Sequence, residues 1–162
     1  MGCLSAPVPL ASEHQTAEFD CGTDSLNEWL NRRALKNEYH GGSRTYVVCE
    51  GNRVIGYFAL AAGSIARKEA PGRLKRNMPD PIPALILGRL AVDLQWQRQG
   101  IGPGLLRDAI ARSINVSKQI GARVLIVHAL NGKAEVFYRK YGFVESRLAP
   151  GTLLLPLLIA EI

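Results

Sequence analysis

Two short stretches of the chain carry residue types whose spacing suits chemistry. The first is "QWQRQGIGPG", Gln95 to Gly104, where Gly100, Gly102 and Gly104 alternate directly ahead of the helix-like run "LLRDAIARSI". Glycines so placed let backbone N–H groups converge on an anion, because no Cβ blocks the approach and the first helical donors have no partner inside the helix. A phosphate suits such a turn. It is not a Walker A loop, since no Lys-Ser or Lys-Thr pair follows the glycines. Nor is it a dinucleotide fingerprint, in which Leu105 would have to be the third glycine. An isolated turn of this kind can equally be a plain strand-to-helix connection.

The second stretch is "FYRKYGF", Phe137 to Phe143, with Ala134, Phe137, Tyr138 and Tyr141 at helical spacing. A tyrosine there is either a core aromatic or a proton donor. Cys3, Cys21 and Cys49 with His14, His40 and His128 show no metal-ligand spacing, and an odd cysteine count argues against a disulfide framework. No metal is expected, and the location that fits is a reducing cytoplasm. The N-terminal MGCLSA misses the myristoylation pattern at Ala6, and no apolar run approaches the roughly 20 residues of a membrane span.

The elements that must position these residues are legible from periodicity and turn chemistry. Ser25-x-x-Glu28 reads as a capping box opening a helix that buries Leu26, Trp29, Leu30 and Ala34 and turns Arg32, Arg33 and Lys36 outward. "TYVVCE", Gly51-Asn52 and "RVIGYFALAA" read as an antiparallel hairpin, with Cys49 a core residue. The proline-rich and basic "RKEAPGRLKRNMPDPIP" reads as a loop excursion. "ALILGRLAVD" is a third strand, Gly102 to about Gln119 a helix, "ARVLIVHA" a strand, "KAEVFYRKY" a helix stopped by Gly142, and "TLLLPLLI" a last strand. This order predicts an α/β fold over residues 1–162 as a single domain: a mixed, mostly antiparallel sheet with a parallel strand pair at its centre and helices at its flanks. At 162 residues and 47% hydrophobic content the chain has material for one core, and a net charge of +6 favours polyanionic partners.

With its surroundings, "LGRLAVDLQWQRQGIGPGLL" resembles the acetyl-coenzyme A signature of the GCN5-related N-acetyltransferases (GNAT), whose core is Gln/Arg-x-x-Gly-x-Gly/Ala. The resemblance implies a GNAT fold in which the central parallel pair splays. Gln97, Arg98, Gln99, Gly100, Ile101 and Gly102 then hold the pyrophosphate of acetyl-CoA, and Leu90, Ala91 and Val92 offer backbone groups to pantetheine. "FYRKYGF" resembles the family's second signature, which implies Tyr138 as general acid to the departing thiolate, with Tyr141 its rival. A phenol with pKa near 10 suits that task, because it keeps its proton until the sulfur acquires charge. Asn131 is either a coenzyme A contact by the same resemblance or a helix N-cap. His128 reads as a structural histidine and Asp93 as a turn or capping residue rather than a base.

"RLKRNMPDPIPALILGRLAVD", "VHALN" and "LNEWL...RALKN" further resemble the TacT-like acetyltransferase toxins of type II toxin–antitoxin systems, over nearly the whole chain. This implies acetylation of the α-amine of aminoacyl-tRNA, arrest of translation, a cognate ribbon-helix-helix antitoxin and a homodimer. Chemistry favours the substrate independently: an α-amine of pKa near 7.8 is deprotonated about one part in seven at pH 7, a lysine about one in two thousand. Such an acceptor needs little help from a base, and the sequence offers no convincing one. Candidate tRNA-phosphate contacts are Arg32, Arg33, Lys36, Arg44, Arg67, Lys68, Arg73, Lys75, Arg76 and Arg89, with Arg73, Lys75 and Arg76 foremost because they cluster. The competing expectations are a GNAT enzyme for a small amine or protein N-terminus, and a non-catalytic coenzyme A-binding module.

Overall fold

The computed structural model describes residues 4–157. In chain order the elements are β1 (Val8–Pro9), α1 (Asp24–Arg32), α2 (Ala34–His40), β2 (Arg44–Glu50), β3 (Arg53–Ile65), a 3-10 turn (Arg67–Glu69), α3 (Gly72–Lys75), β4 (Ile82–Val92), a second 3-10 turn (Leu94–Trp96), α4 (Ile101–Ser117), β5 (Val124–His128), α5 (Gly132–Lys140), β6 (Val144–Glu145) and β7 (Thr152–Pro156). The strands form one sheet in the order β1-β2-β3-β4-β5-β7-β6, with β4 and β5 parallel at its middle. By contact density the chain divides into two compact units. One comprises the residues up to Ala61 with Gly88–Ala109, the other Ala62–Leu87 with the residues from Ile110 on.

In the first unit the expected hairpin forms, pairing Arg44↔Leu60 through Glu50↔Arg53 with a register shift between Val48 and Cys49. Cys49 is 3% exposed, a core residue as its apolar setting predicts. β4 runs antiparallel to β3: Gly88 approaches the carbonyl of Ala59 while Gly56 approaches that of Ala91, so one numbering rises as the other falls. The expected capping box does not form. Helix α1 starts at Asp24 with Thr23 as N-cap and no side-chain cap. Asp20 and Asn27 have taken over the turn: Asp20 Oδ1 accepts from the Gly22 N–H and from Asn27 Nδ2, and Asn27 Oδ1 accepts from the Cys21 N–H. These long-reaching acceptors organise the backbone ahead of Ser25, so its hydroxyl is not needed as a cap.

Nor do Arg32, Arg33 and Lys36 share one helix. The chain breaks at Arg33 (φ −120°, ψ −31°), which ends α1 and precedes α2. Leu30 and Ala34, on either side of the break, are both buried in one cluster with Leu10, Phe19, Val47, Val54 and Tyr57. The aromatic residues lock this cluster: Trp29 stacks on Tyr57, Phe19 meets its edge, and the Tyr57 hydroxyl donates to the Leu26 carbonyl at 2.8 Å.

In the second unit, Ala84–Leu87 of β4 pair in parallel with Val124–Val127 of β5, and β5 pairs antiparallel with β7 from Val124↔Pro156 to His128↔Thr152. The two-residue strand β6, too short to carry a readable period, adds to β7 through Val144↔Leu154. The last strand, expected through Ile159, ends at Pro156; Leu158 and Ile159 lie outside the described residues. The proline-rich excursion is more ordered than a plain loop. Ala70 and Leu74 bury their side chains against Ile82, Val124 and Leu154, which folds the backbone into short turns and leaves the intervening cations outward. Among the described residues no helix is long and apolar enough to cross a membrane.

Candidate active site

The glycine turn is built by residues that hold backbone in place. Where β4 ends, Asp93 is 2% exposed. Its Oδ1 accepts from the Gln95 N–H at 2.9 Å, its Oδ2 from the Asp20 N–H at 3.1 Å, and Arg53 Nη2 stands 3.9 Å from Oδ2. Asp93 is thus the capping residue expected, with a carboxylate already engaged by protein donors. Gln97 Nε2 donates to the Val92 carbonyl at 2.8 Å and to the Cys21 carbonyl at 3.2 Å, folding the loop back on the strand end. Gln99 Nε2 reaches the Gln95 carbonyl at 3.4 Å.

The backbone then takes two left-handed steps, Arg98 at φ +65° and Gly100 at φ +83°, before α4 begins. A glycine removes the strain at the second. The Gly104 N–H closes the first helical turn on the Gly100 carbonyl at 3.1 Å. Pro103 has no N–H, so the donors of the first turn that lack an intrahelical acceptor are those of Ile101 and Gly102. Of the residues expected at the cofactor, Gln97 is a latch, Gln99 is engaged within the loop, and Arg98 is exposed beside the turn. An anion here meets backbone donors and the positive end of a helix of 17 residues.

Leu90, Ala91 and Val92 lie on the part of β4 that continues beyond Leu87, the last residue in the printed register with a β5 partner. The strands therefore part company where the resemblance expects pantetheine to lie. Ala91 and Val92 are buried and Leu90 half-buried, so these residues offer edge backbone rather than side chains.

In the second unit, Asn131 is the N-cap of α5: its Oδ1 accepts from the Ala134 N–H at 2.9 Å. Helix α5 ends at Tyr141, and Gly142 (φ +98°) lets Phe143 turn back so that its N–H meets the Tyr138 carbonyl at 3.3 Å. This turn packs Phe143 on Tyr138 at 5.4 Å, with Phe137 at 5.2 Å on another side. Tyr138 is 6% exposed. That burial pushes its phenol up to about 12, since the phenolate would lose hydration that no nearby donor replaces. Among the described residues its hydroxyl has no hydrogen-bond partner, and it is not one of the fully buried orphaned atoms. Tyr141 is half-buried and packs edge-on against Phe137 only.

The remaining titratable groups near α5 are engaged. Arg139 bridges Glu135 at 2.9 Å and Glu145 at 3.2 Å, and His128 Nδ1 lies 3.0 Å from Thr152 Oγ1, as a structural histidine would.

The candidate RNA contacts fall into three sets. Arg32, Arg33 and Lys36 are exposed in the first unit. Arg44 is bound to Glu38, at 3.1 Å to the carboxylate and 2.8 Å to the carbonyl, so its charge is largely matched at home; Arg89 stacks 4.4 Å over the Trp29 ring. In the second unit Arg67 donates to the Lys75 carbonyl, while Arg73 and Arg76 are exposed. Sequence reading missed Arg123, whose Nη2 donates to the Arg73 carbonyl at 3.2 Å across 50 positions of chain. Its place at the mouth of an apolar strand gave no signal of that neighbour.

A family model described as an acetyltransferase (GNAT) domain matches residues 41–145. A tRNA-acetylating toxin of Mycobacterium tuberculosis (strain ATCC 25618 / H37Rv) is 45% identical over 155 residues, covering 96% of this chain and 93% of the relative. The solved structure of AtaT complexed with acetyl-methionyl-tRNAfMet superposes with a TM-score of 0.89 at 29% identity, covering 95% of each chain. A tyrosine-to-phenylalanine mutant of AtaT, bound to the C-terminus of the antitoxin AtaR and acetyl-CoA, gives a TM-score of 0.81 at 28% identity, covering 95% of this chain and 93% of that one.

Proposed function

This chain belongs to the acetyltransferase (GNAT) family, and from that membership we propose that it transfers the acetyl group of acetyl-CoA to the α-amine of an aminoacyl-tRNA, acting as a toxin that blocks translation. The observation that carries the substrate is the 45% identity with a tRNA-acetylating toxin across nearly the full length of both chains.

In this reading the Ile101 and Gly102 N–H groups and the α4 dipole receive the pyrophosphate, with Arg98 adding charge from outside. The unpaired end of β4, from Leu90 to Val92, receives pantetheine as an added strand would be received. The neutral amine attacks the thioester carbonyl carbon, a C–N bond forms, and the C–S bond breaks as the tetrahedral intermediate collapses. Tyr138 gives its proton to the departing sulfur, and the surplus proton on nitrogen restores the phenol, directly or through water. The burial that raises the phenol also raises the proton affinity of a thiolate formed beside it, so both partners shift in one direction. Asn131 acts as the cap that positions α5, and therefore Tyr138, rather than as a cofactor ligand.

Arg73, Lys75 and Arg76 serve RNA phosphates in this reading, with Arg32, Arg33 and Lys36 as a second set. The partner that restrains the toxin is a cognate antitoxin of the ribbon-helix-helix class, the working form is a homodimer, and the compartment is the cytoplasm. AtaT, solved with the C-terminus of its antitoxin, supports the antitoxin part.

The test is incubation of the purified protein with labelled acetyl-CoA and a total pool of charged tRNA, followed by identification of the acetylated amino acid. Label on an aminoacyl-tRNA is the expected outcome. Label confined to small amines or to protein N-termini would replace the proposed substrate.

A further inference from the structure

Arg73, Leu74, Arg76, Asn77, Arg123 and Pro156 line a cavity of about 260 Å³ in the second unit. A water's share of liquid volume is about 30 Å³, so the space suits a larger guest. The cations come from two distant segments, the excursion after β3 and the residue that opens β5. Arg123 is fixed from three sides: its N–H donates to the Pro83 carbonyl, its carbonyl accepts from the Leu157 N–H, and its Nη2 donates to the Arg73 carbonyl. Its Nε is nevertheless buried and has no acceptor. Buried N–H groups left without acceptors are uncommon, and on a charged group they mark a position where an acceptor is to be supplied.

Among the described residues no ion pair engages Arg73, Arg76 or Arg123. The carboxylate closest to hand, Asp80, has Oδ1 on the Arg67 backbone N–H, and Arg67 itself holds a second buried Nε without an acceptor. Converging guanidinium groups repel one another until an anion enters. A tetrahedral phosphate offers enough oxygens for several planar forks at once, which a single carboxylate does not. Leu74, 3% exposed, and Pro156 supply an apolar wall that keeps the pairing from being fully screened by water.

We propose that this cavity is a phosphodiester subsite, in which Arg123 with Arg73 and Arg76 grips one backbone phosphate of the RNA acceptor. The subsite rests on the reading of charged tRNA as substrate, and it adds to that reading a buried cation that no motif contains. Free phosphate shares the same chemistry but lacks the neighbouring nucleotides that would hold it.

The experiment has two arms. In the first, the Nε–Hε signal of Arg123 is followed by NMR in the arginine-labelled, full-length protein during titration with inorganic phosphate and, separately, with a short RNA stem. RNA should move the signal at concentrations at least tenfold below those phosphate needs, in line with several contacts acting together. In the second, KM and kcat for charged tRNA are measured at two salt concentrations for wild type, Arg123→Gln and the exposed-site variant Arg76→Gln. Each variant should raise KM about tenfold with kcat within twofold, and should flatten the salt dependence by about one unit per lost phosphate contact. A signal indifferent to RNA, or folded variants with unchanged KM and salt slope, overturns the subsite while leaving tRNA acetylation by the wild type standing. Equal response to phosphate and RNA overturns the RNA assignment. If the wild type acetylates no tRNA yet RNA still moves the Arg123 signal, the substrate reading fails and the subsite stands.

Discussion

The glycine turn after β4 and the functional parts of the second unit are held together in opposite ways. In the turn, side chains hold backbone: Asp93 and Gln97 turn inward to carbonyls and N–H groups, and what is left outward is a row of backbone donors. In the second unit, backbone holds side chains: carbonyls of Arg73, Lys75 and Tyr138 accept bonds that set the positions of Arg123, Arg67 and Phe143, and what is left outward is guanidinium charge and one phenol. The first region is therefore sensitive to changes of shape and tolerant of lost charge. The second is sensitive to lost functional groups and tolerant of small changes of backbone.

The sharpest test of that contrast is Tyr138→Phe, which keeps the ring against Phe137 and Phe143 and removes one oxygen. It should lower kcat for acetyl transfer by roughly 10² to 10⁴, the usual scale for general acid catalysis, with acetyl-CoA affinity unchanged. Full turnover, or the same loss from Tyr141→Phe alone, would assign the proton elsewhere. The pH profile sharpens it further. The rate should rise with pH as the acceptor amine loses its proton and then stay level to about pH 10, because the phenol is pushed up to about 12. The sign for stability follows: burial of the neutral phenol contributes fully below the unfolded value near 10, and that contribution is lost as pH climbs toward 12.

Gly100→Val comes next. An added Cβ meets nothing within 4 Å, but the residue sits at φ +83°, where a β-branched side chain is strained. The loop should give up its conformation, and calorimetry should show acetyl-CoA affinity lower by about 10² or more, since strain of this kind costs about 1–3 kcal/mol before the lost donors are counted. Unchanged affinity in a folded variant would remove the turn from the cofactor site. In the second unit, Arg73, Lys75 and Arg76 changed together to Glu should raise KM for charged tRNA at least tenfold and leave acetyl-CoA affinity alone, with the salt dependence of the reaction nearly abolished. Gln97→Ala should have a smaller effect, weakening acetyl-CoA by about five- to tenfold through a looser loop, as two hydrogen bonds of about 0.5–1.5 kcal/mol each are removed. The smallest change is expected from Asn131→Ala: loss of the cap at Ala134 should lower unfolding stability by about 1 kcal/mol, read as a drop in Tm, with acetyl-CoA affinity unaffected. A large loss of cofactor affinity instead would make Asn131 a ligand.

Legibility followed the range of the interactions. The hairpin around Gly51-Asn52, helix α4 and the Gly142 stop were readable because alternation, helical period and a left-handed glycine are local signals, and α4 at Ile101–Ser117 differs little from the expected Gly102–Gln119. The capping box at Ser25 failed because Asp20 and Asn27 reached the same backbone first, a competition that a four-residue pattern does not contain. The single helix expected through Arg32, Arg33 and Lys36 failed at a break that no glycine or proline announces. Gln97 illustrates the site itself: its place in the signature suggested a cofactor contact, whereas its amide meets two carbonyls of the protein.

The amino-acid sequence by itself determined the α/β order, the phosphate-type turn, the tyrosine with its two aromatic neighbours and an excess of six positive charges, because each depends on residue identity and near spacing. Tertiary structure alone decided which of those residues are free to act. It paired Arg44 with Glu38, laid Arg89 on Trp29, raised the Tyr138 phenol by burial and brought Arg123 to Arg73. Desolvation and charge pairing depend on what lies within a few ångströms in space, and residues 50 positions apart become neighbours only when β5 and the buried Leu74 are packed into one core.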